Sequence, residues 1–182
     1  MMDNLKYYHL EDYLFKDVHD RFHSQGWLDA FDFFSIVIWK ANRAKSLVAR
    51  KLTKHTKGKT DLDAIVHSLT TSLFKSVERR ERMRLLIEDW GFALPMASAI
   101  LTVLYPDEYT VYDYKVCALL QDFRHLKNST NFEKLWNGYC SFCDRVKAEA
   151  PQGSSLRDKD RYLCGKYDAE RLKKNIKGRF QK

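Results

Sequence analysis

Asp113 stands alone among apolar and aromatic neighbours, Val111, Tyr112 and Tyr114, where an amphipathic run through Val116, Leu119 and Leu120 begins. A carboxylate in that place has two uses. It can cap the helix that follows by accepting the free N–H groups of the first turn. It can also stabilise positive charge developing on a reacting centre, or activate a water molecule there. Tyr109, Tyr112 and Tyr114 surround it with flat π faces on which bases can stack; equally, they are the kind of side chain that fills a core. Upstream, Gly91 can take the positive φ of a tight turn. Pro95 suits the first turn of the helix that follows, where its fixed φ and missing N–H do no harm. Such a turn, Gly91-Phe92-Ala93, aims backbone N–H groups and a positive helix end at one point. That arrangement binds phosphate without regard to base sequence, with Gly91 and Ala93 as the positions of approach. Tight packing of a small-residue helix would use the same residues.

A third group is basic. Residues 40–59 hold eight bases and no acid, whereas residues 1–39 hold seven acids and three bases. Arg43, Arg50 and Lys54 are spaced seven and four apart, on one side of a helix. A patch as concentrated as the whole net charge of +8 points to a polyanion, and a nucleic acid above others; a solvated helix face is the plainer alternative.

The elements that must position these residues all repeat at helical spacing. Leu10, Tyr13, Leu14, Val18 and Phe22 form one face of a helix over residues 10–24, closed by Gly26. Asp29 and Asp32 suit the start of the next, whose Phe33, Phe34, Ile36, Val37 and Ile38 are too apolar for a surface helix. That helix is expected to be central and to continue or kink into Ala41–His55. A mobile basic loop follows over Thr53–Thr60, then helices over Asp61–Ser76 and Val77–Trp90. The small-residue helix with Met96, Ala97, Ala99, Ile100, Val103 and Leu104 comes next, stopped by Pro106. Asn131–Ala150 is a long helix, Pro151 to Ser155 a break, and Ser155 caps a short helix through Cys164. The tail, residues 168–182, is a basic helix or a frayed end. Glu108–Val111 is the only strand candidate. The expectation is an all-α, single-domain bundle over residues 1–182, with about eight to ten helices.

Several function classes find no support. There is no run of about 18 apolar residues, so no membrane span or membrane partner is expected. The first residues lack the basic and apolar regions of a signal peptide, and four scattered cysteines suggest reduced thiols, so a cytoplasmic location is expected. Cys140 and Cys143 form a CxxC, but a metal or iron–sulfur site wants four ligands, and Cys117 and Cys164 lie far away in sequence. Small buried thiols are the better reading. His19 and His23 could meet on one helix face, without a third ligand; with the other four histidines they read as surface residues. No phosphate-binding Gly loop, nucleophile elbow or HExxH is present, so neither cofactor nor metal is expected.

The stretch from Asp89 to Leu120 resembles the helix-hairpin-helix DNA glycosylases, the endonuclease III-like superfamily. Gly91-Phe92-Ala93 stands at the hairpin of that pattern, Met96 to Leu101 at its small-residue helix, and Val111-Tyr112-Asp113-Tyr114-Lys115-Val116 at its aspartate. Trp90 replaces the hairpin proline and Ala93 the second glycine. Pro95 occupies the place, eighteen residues before Asp113, where bifunctional members carry a lyase lysine. The resemblance therefore implies a helix-hairpin-helix bundle that binds duplex DNA through phosphates at Gly91 and Ala93; if it does, the spacing of the basic segment makes Arg43, Arg50 and Lys54 the expected side-chain contacts to phosphate. It implies base-excision repair: a nucleotide flipped from the stack, Asp113 catalysing monofunctional hydrolysis of its N-glycosidic bond, Tyr112 and Tyr114 stacking on bases, and no Schiff-base lyase. Two alternatives stay open: the same fold as a non-catalytic DNA- or protein-interaction module, and a helical scaffold whose basic patch meets an acidic protein.

Overall fold

A computed structural model of the protein describes residues 4–56 and 61–180. The described residues contain helices and no strand, and no helix among them is long and apolar enough to cross a membrane. Two short helices, α1 (Leu5–Tyr8) and α2 (Leu10–Tyr13), lead through a π turn (Leu14–Val18) into α3 (His19–Gln25). Gly26 closes α3 at φ +80, its N–H donating to the Phe22 carbonyl at 2.8 Å, the left-handed cap that glycine adopts without strain. Asp29 caps α4 (Ala30–Ala41) by accepting from the Asp32 N–H. A 3₁₀ turn (Asn42–Ala44) kinks the chain into α5 (Lys45–His55). Residues 57–60, the core of the expected basic loop, and the tail residues 181–182 lie outside the described residues.

Next come α6 (Leu62–Lys75), capped by Asp61, and α7 (Arg79–Arg84), which opens into a π turn (Leu85–Asp89). Then follow α8 (Leu94–Leu104), α9 (Tyr114–Leu119), a 3₁₀ turn (Arg124–Asn128), α10 (Phe132–Glu149) and α11 (Leu156–Lys177). The last of these corrects the sequence reading. Helix α11 runs unbroken through Gly165, although an interior glycine costs about 1 kcal/mol. It packs along α9 and α10 and is tied to α9 by a Lys115–Asp168 ion pair at 2.6 Å.

The central helix is α8 rather than α4. Every residue from Ala97 to Leu104 is fully buried, with α3, α4, α7, both π turns and the 3₁₀ turn Arg124–Asn128 against it. In α4, Phe33, Ile36 and Val37 are buried but Ile38 is exposed. Small side chains on α8 let its neighbours approach closely, and its polar ones are satisfied: Thr102 Oγ1 donates to the Ser98 carbonyl at 2.7 Å. The final carbonyls of α8 are met by histidines of α3, His19 Nδ1 at 3.3 Å from the Val103 oxygen and His23 Nε2 at 2.7 Å from that of Leu104. Expected to be surface residues, these two serve as the C-terminal cap that no residue of α8 itself provides.

The segment 109–113 is extended and buried up to Asp113. It is not a strand because its partners are side chains. The Thr110 N–H donates to the Tyr139 hydroxyl at 3.1 Å, which donates back to the Thr110 carbonyl at 2.7 Å. The Tyr112 N–H donates to Ser98 Oγ at 2.9 Å. Helices α8 and α10 thus supply the hydrogen bonds that a neighbouring strand would otherwise give, and deliver Asp113 to the surface in a fixed position.

Candidate functional site

Asp113 is the N-cap of α9. Its backbone is extended (φ −123, ψ 144), and Oδ1 accepts from the Lys115 N–H at 2.9 Å. Its second oxygen is held from the other side of the fold: Lys40 Nζ, in the last turn of α4, lies 2.8 Å from Oδ2. The two side chains keep 23% and 13% exposure, and both line a cleft of about 520 Å³, within the span of about 300–1,000 Å³ common for small-molecule sites. Burial pushes the Asp113 carboxyl up. The charge and hydrogen bond of Lys40, with the Lys115 N–H and ammonium, outweigh it and hold the group below the ordinary aspartate value of 3.8. Asp113 is therefore ionised at neutral pH. An ionised carboxylate offers about four acceptor sites, so cap and ion pair fix its orientation without exhausting it.

Lys40 is itself held by what surrounds the end of α4. Next to it, Trp39 packs edge-on against Phe15 of the π turn, with ring centres 5.6 Å apart. The Arg157 guanidinium of α11 lies over both rings, 5.1 and 4.7 Å from their centres. Arg157 also pairs with Glu11 at 2.7 Å and with Asp160. Asp160 is 1% exposed; burial raises its carboxyl to about 6, against the pull of Arg157 and Lys40. Three distant segments, α2, α4 and α11, thus meet beneath the cleft.

Pro95, Tyr114, Cys117, Arg124 and Lys127 complete most of the cleft wall. Pro95 faces the same space as Asp113, and no lysine stands at its place. Tyr114 is 60% exposed, edge-on to Tyr167 of α11 at 6.1 Å. Tyr112 is different. Its hydroxyl donates to the Phe123 carbonyl at 2.6 Å and its ring packs edge-on against Phe142. At 3% exposure that ring is largely committed to the core, although Tyr112 also lines the cleft; Tyr114 is the exposed ring on its wall. Tyr109 is fully buried, donating to the Arg79 carbonyl at 2.8 Å.

The glycine turn opens a second recess. Gly91 has φ +66, its carbonyl accepts from Lys51 Nζ, and Trp90, in the place of the hairpin proline, is buried with His55 stacked on it at 4.1 Å. Stacking and hydrogen bond bring the end of α5 against the turn. The groove between them, about 550 Å³, is lined by Arg50, Lys51, Lys54 and Gly91, with Glu88 and Asp89 on the opposing rim. Arg50 and Lys54 are thus brought to the turn as the spacing suggested. Arg43 is exposed in the 3₁₀ turn before α5 and does not line this groove. Ala93, also exposed, is the N-cap of α8, its carbonyl accepting from the Met96 and Ala97 N–H groups at 2.9 and 3.0 Å. Gly91 lines one recess and Pro95 the other, so the segment 92–94 is all that separates them along the chain.

Lys40, Arg124 and Lys127 escaped the sequence reading as site residues. Lys40 counted there only towards the charge of residues 40–59, and its partner lies 73 residues away. Arg124 and Lys127 carried no motif. The cysteines contribute thiols: all four are free, and burial pushes Cys143 up to about 11 and Cys164 up to about 12. Among the described residues, no group of three His, Cys, Asp or Glu is arranged to hold a metal ion. Comparison of the chain with protein-family models, with characterised proteins and with solved structures finds no match to any of them.

Proposed function

We propose that this protein binds duplex DNA through its phosphates, at the groove between α5 and the Gly91 turn, and hydrolyses the N-glycosidic bond of a nucleotide drawn into the neighbouring cleft. One observation carries the reading: an ionised, oriented and incompletely used carboxylate, Asp113, opens onto a cleft of about 520 Å³ next to a glycine turn faced by Arg50, Lys51 and Lys54. Breaking the bond from base to sugar leaves positive charge on the sugar, which a fixed carboxylate stabilises while water adds to it. Tyr114 offers the exposed ring on which the extruded base stacks. Pro95 leaves no amine at the place of the lyase lysine, so release of the base without a lyase step at that position is the reaction proposed; Lys40 and Lys127 are the amines that line the cleft.

A second reading rests on the same atoms. Asp113 caps α9 and neutralises Lys40, which is a complete structural role; the protein is then a DNA-binding module without catalysis. Asp113→Asn separates the two, because Asn caps helices about as well as Asp. With duplexes carrying alkylated, deaminated or oxidised bases, wild type should release base and Asp113→Asn should do so roughly 10²–10³-fold more slowly, with duplex affinity retained. No release by wild type across the panel leaves the binding module; release that survives the change moves the chemistry to another residue. For binding, Arg50→Ala with Lys54→Ala should lower the slope of log affinity against log salt by about two units, and adding Arg43→Ala should change it less. An unaltered slope excludes the α5 groove as the phosphate contact.

A further inference from the structure

The charge around Asp113 is unbalanced. Lys40 neutralises Asp113 directly, yet the same cleft is walled by two further cations, Arg124 and Lys127. Among the described residues, neither has a carboxylate within 4.0 Å. The nearest acid in sequence, Asp122, has Oδ1 taken by the Phe123 N–H at 2.6 Å. A cleft that keeps two cations without a carboxylate partner beside an aspartate already paired with its own lysine suits a ligand with negative charge of its own.

The two cations are also placed together by the backbone. They sit three residues apart in the 3₁₀ turn Arg124–Asn128, and in a 3₁₀ helix residues i and i+3 eclipse one another. The turn is held from two directions. The Tyr112 hydroxyl donates to the Phe123 carbonyl at 2.6 Å and meets the Lys127 backbone. Leu126, between the two cations, is buried against Gly138 of α10, where a Cβ would come within 2.3 Å of its Cδ2. Gln121 and Phe123, neither a glycine, enter the turn at φ 57 and φ 69, conformations that persist only where the surroundings impose them. A preset pair of donors, guanidinium and ammonium, suits the oxygens of a phosphate.

We infer that Arg124 and Lys127 form a phosphate subsite of the Asp113 cleft, holding the phosphate of the nucleotide whose sugar meets Asp113. The inference rests on the proposed reading of the cleft and names what enters it: a nucleotide with its phosphate, not a free base or nucleoside. The anchor is separate from the α5 groove, whose lining includes neither Arg124 nor Lys127. The groove grips the duplex; the subsite grips the one residue drawn out of it.

The test titrates the full chain with 2′-deoxyadenosine, its 5′-monophosphate and inorganic phosphate, following backbone amide shifts of residues 110–128 by NMR. The monophosphate should bind about tenfold or more tightly than the nucleoside, the scale of one charge-assisted hydrogen bond, and inorganic phosphate should compete with it. Arg124→Gln with Lys127→Gln, both at exposed positions, should reduce the monophosphate to the affinity of the nucleoside. The charge-conserving pair, Arg124→Lys with Lys127→Arg, should keep most of the preference. A duplex carrying a tetrahydrofuran abasic analogue separates the two sources of phosphate: the Gln pair should weaken it, as a polymer phosphodiester in the subsite requires, and an unchanged duplex affinity would assign the subsite to a free monoester and overturn its role in gripping an extruded residue. Equal binding of nucleoside and monophosphate, a preference that survives the Gln pair, or no binding of any probe overturns the inference. The two readings fail separately. Base release without a phosphate preference removes the subsite alone, and a phosphate preference without base release removes the chemistry at Asp113 and keeps the subsite.

Discussion

Lys40→Met tests whether the ion pair governs Asp113. The change removes the ammonium and keeps an unbranched side chain beside Trp39. In the wild type, burial raises the Asp113 carboxyl and Lys40, aided by Lys115, brings it below 3.8. Without Lys40 the burial remains and the larger opposing influence is gone, so the carboxyl moves up. Removing one partner of an exposed pair costs about 0–1 kcal/mol and of a buried pair about 3–5 kcal/mol. With side chains 13% and 23% exposed, this pair falls between, at about 1–3 kcal/mol. For a chain of this size each kcal/mol lowers Tm by about 2–4 °C. The sign with pH follows from the depressed carboxyl: its contribution is complete above 3.8, the unfolded value, and is lost as pH falls through the lower folded value. The deficit of Lys40→Met should be widest at neutral pH and close as pH drops below that range. The assay is urea denaturation of wild type, Lys40→Met, Asp113→Asn and the double variant from pH 7 down to about pH 3. At pH 7 the double variant should recover much of the loss, because no uncompensated carboxylate is left. A coupling below about 0.5 kcal/mol, the ordinary scatter of additivity, or a deficit unchanged with pH, refutes the reasoning.

Two further predictions concern the frame of the cleft. Gly138→Ala places a Cβ 2.3 Å from Leu126 Cδ2; overpacking of about 1–3 kcal/mol opposes a helix-propensity gain of about 1 kcal/mol, so thermal denaturation should show a net loss that Leu126→Ala partly relieves, and a Tm above wild type would show that Leu126 does not brace the turn. Asp160 has its folded value raised to about 6 from 3.8, so its contribution is full below 3.8 and lost as pH rises through about 6; Asp160→Asn should flatten the fall in urea midpoint across that window, and an identical pH profile in both proteins would exclude Asp160 as its source.

The all-helical class was legible because each helix writes its apolar stripe in local sequence: Leu62, Ile65, Val66, Leu69 and Leu73 need no tertiary information to be read. Helix starts were legible for the same reason: Ser155, read as a cap, and Asp29, read as suiting a helix start, accept from their own first turns, and Asp61 and Asn131, read only as the first residues of their helices, turn out to cap them. The centre was misplaced because the sequence reading weighed the bulky run Phe33, Phe34, Ile36, Val37 and Ile38 of α4, whereas α8 buries its small and weakly polar residues as well; Ala97, Ser98, Ala99 and Thr102 are fully buried. The end of α11 was cut short at Gly165, whose local preference is overridden by packing on α9 and α10. In the site, Asp113 and the Arg50–Lys54 spacing could be read from adjacent residues, since one marks a helix start and the other a helix face. Lys40 could not, for nothing local marks a lysine that will meet a carboxylate 73 residues later. Arg124 and Lys127 depended on a 3₁₀ turn set by Tyr112 and Gly138, contacts that periodicity does not encode.

The capping and chemical roles of Asp113 differ in what they require of Lys40. A cap needs only the N–H groups of its own helix, and the Lys115 N–H already meets that need. Bringing an ammonium from α4 to 13% exposure carries a desolvation cost that an ion pair of this kind offsets only in part. Stability alone therefore gives a weak reason for Lys40 to be there, particularly as Asp113 is the more stable as a cap if it can face water freely. A carboxylate that must stay ionised and point one way inside a cleft has a stronger need, because burial would otherwise push it towards the neutral form, and a neutral acid neither stabilises a cationic sugar nor takes a proton from water. On the proposed reading, the Trp39–Arg157–Phe15 packing is part of the same device, since it fixes the end of α4 from which Lys40 reaches. On that reading the cleft divides its work: Asp113, whose ion pair with Lys40 and cap to Lys115 leave acceptor sites unused, meets the sugar, while Arg124 and Lys127 attract the phosphate-bearing side of the nucleotide.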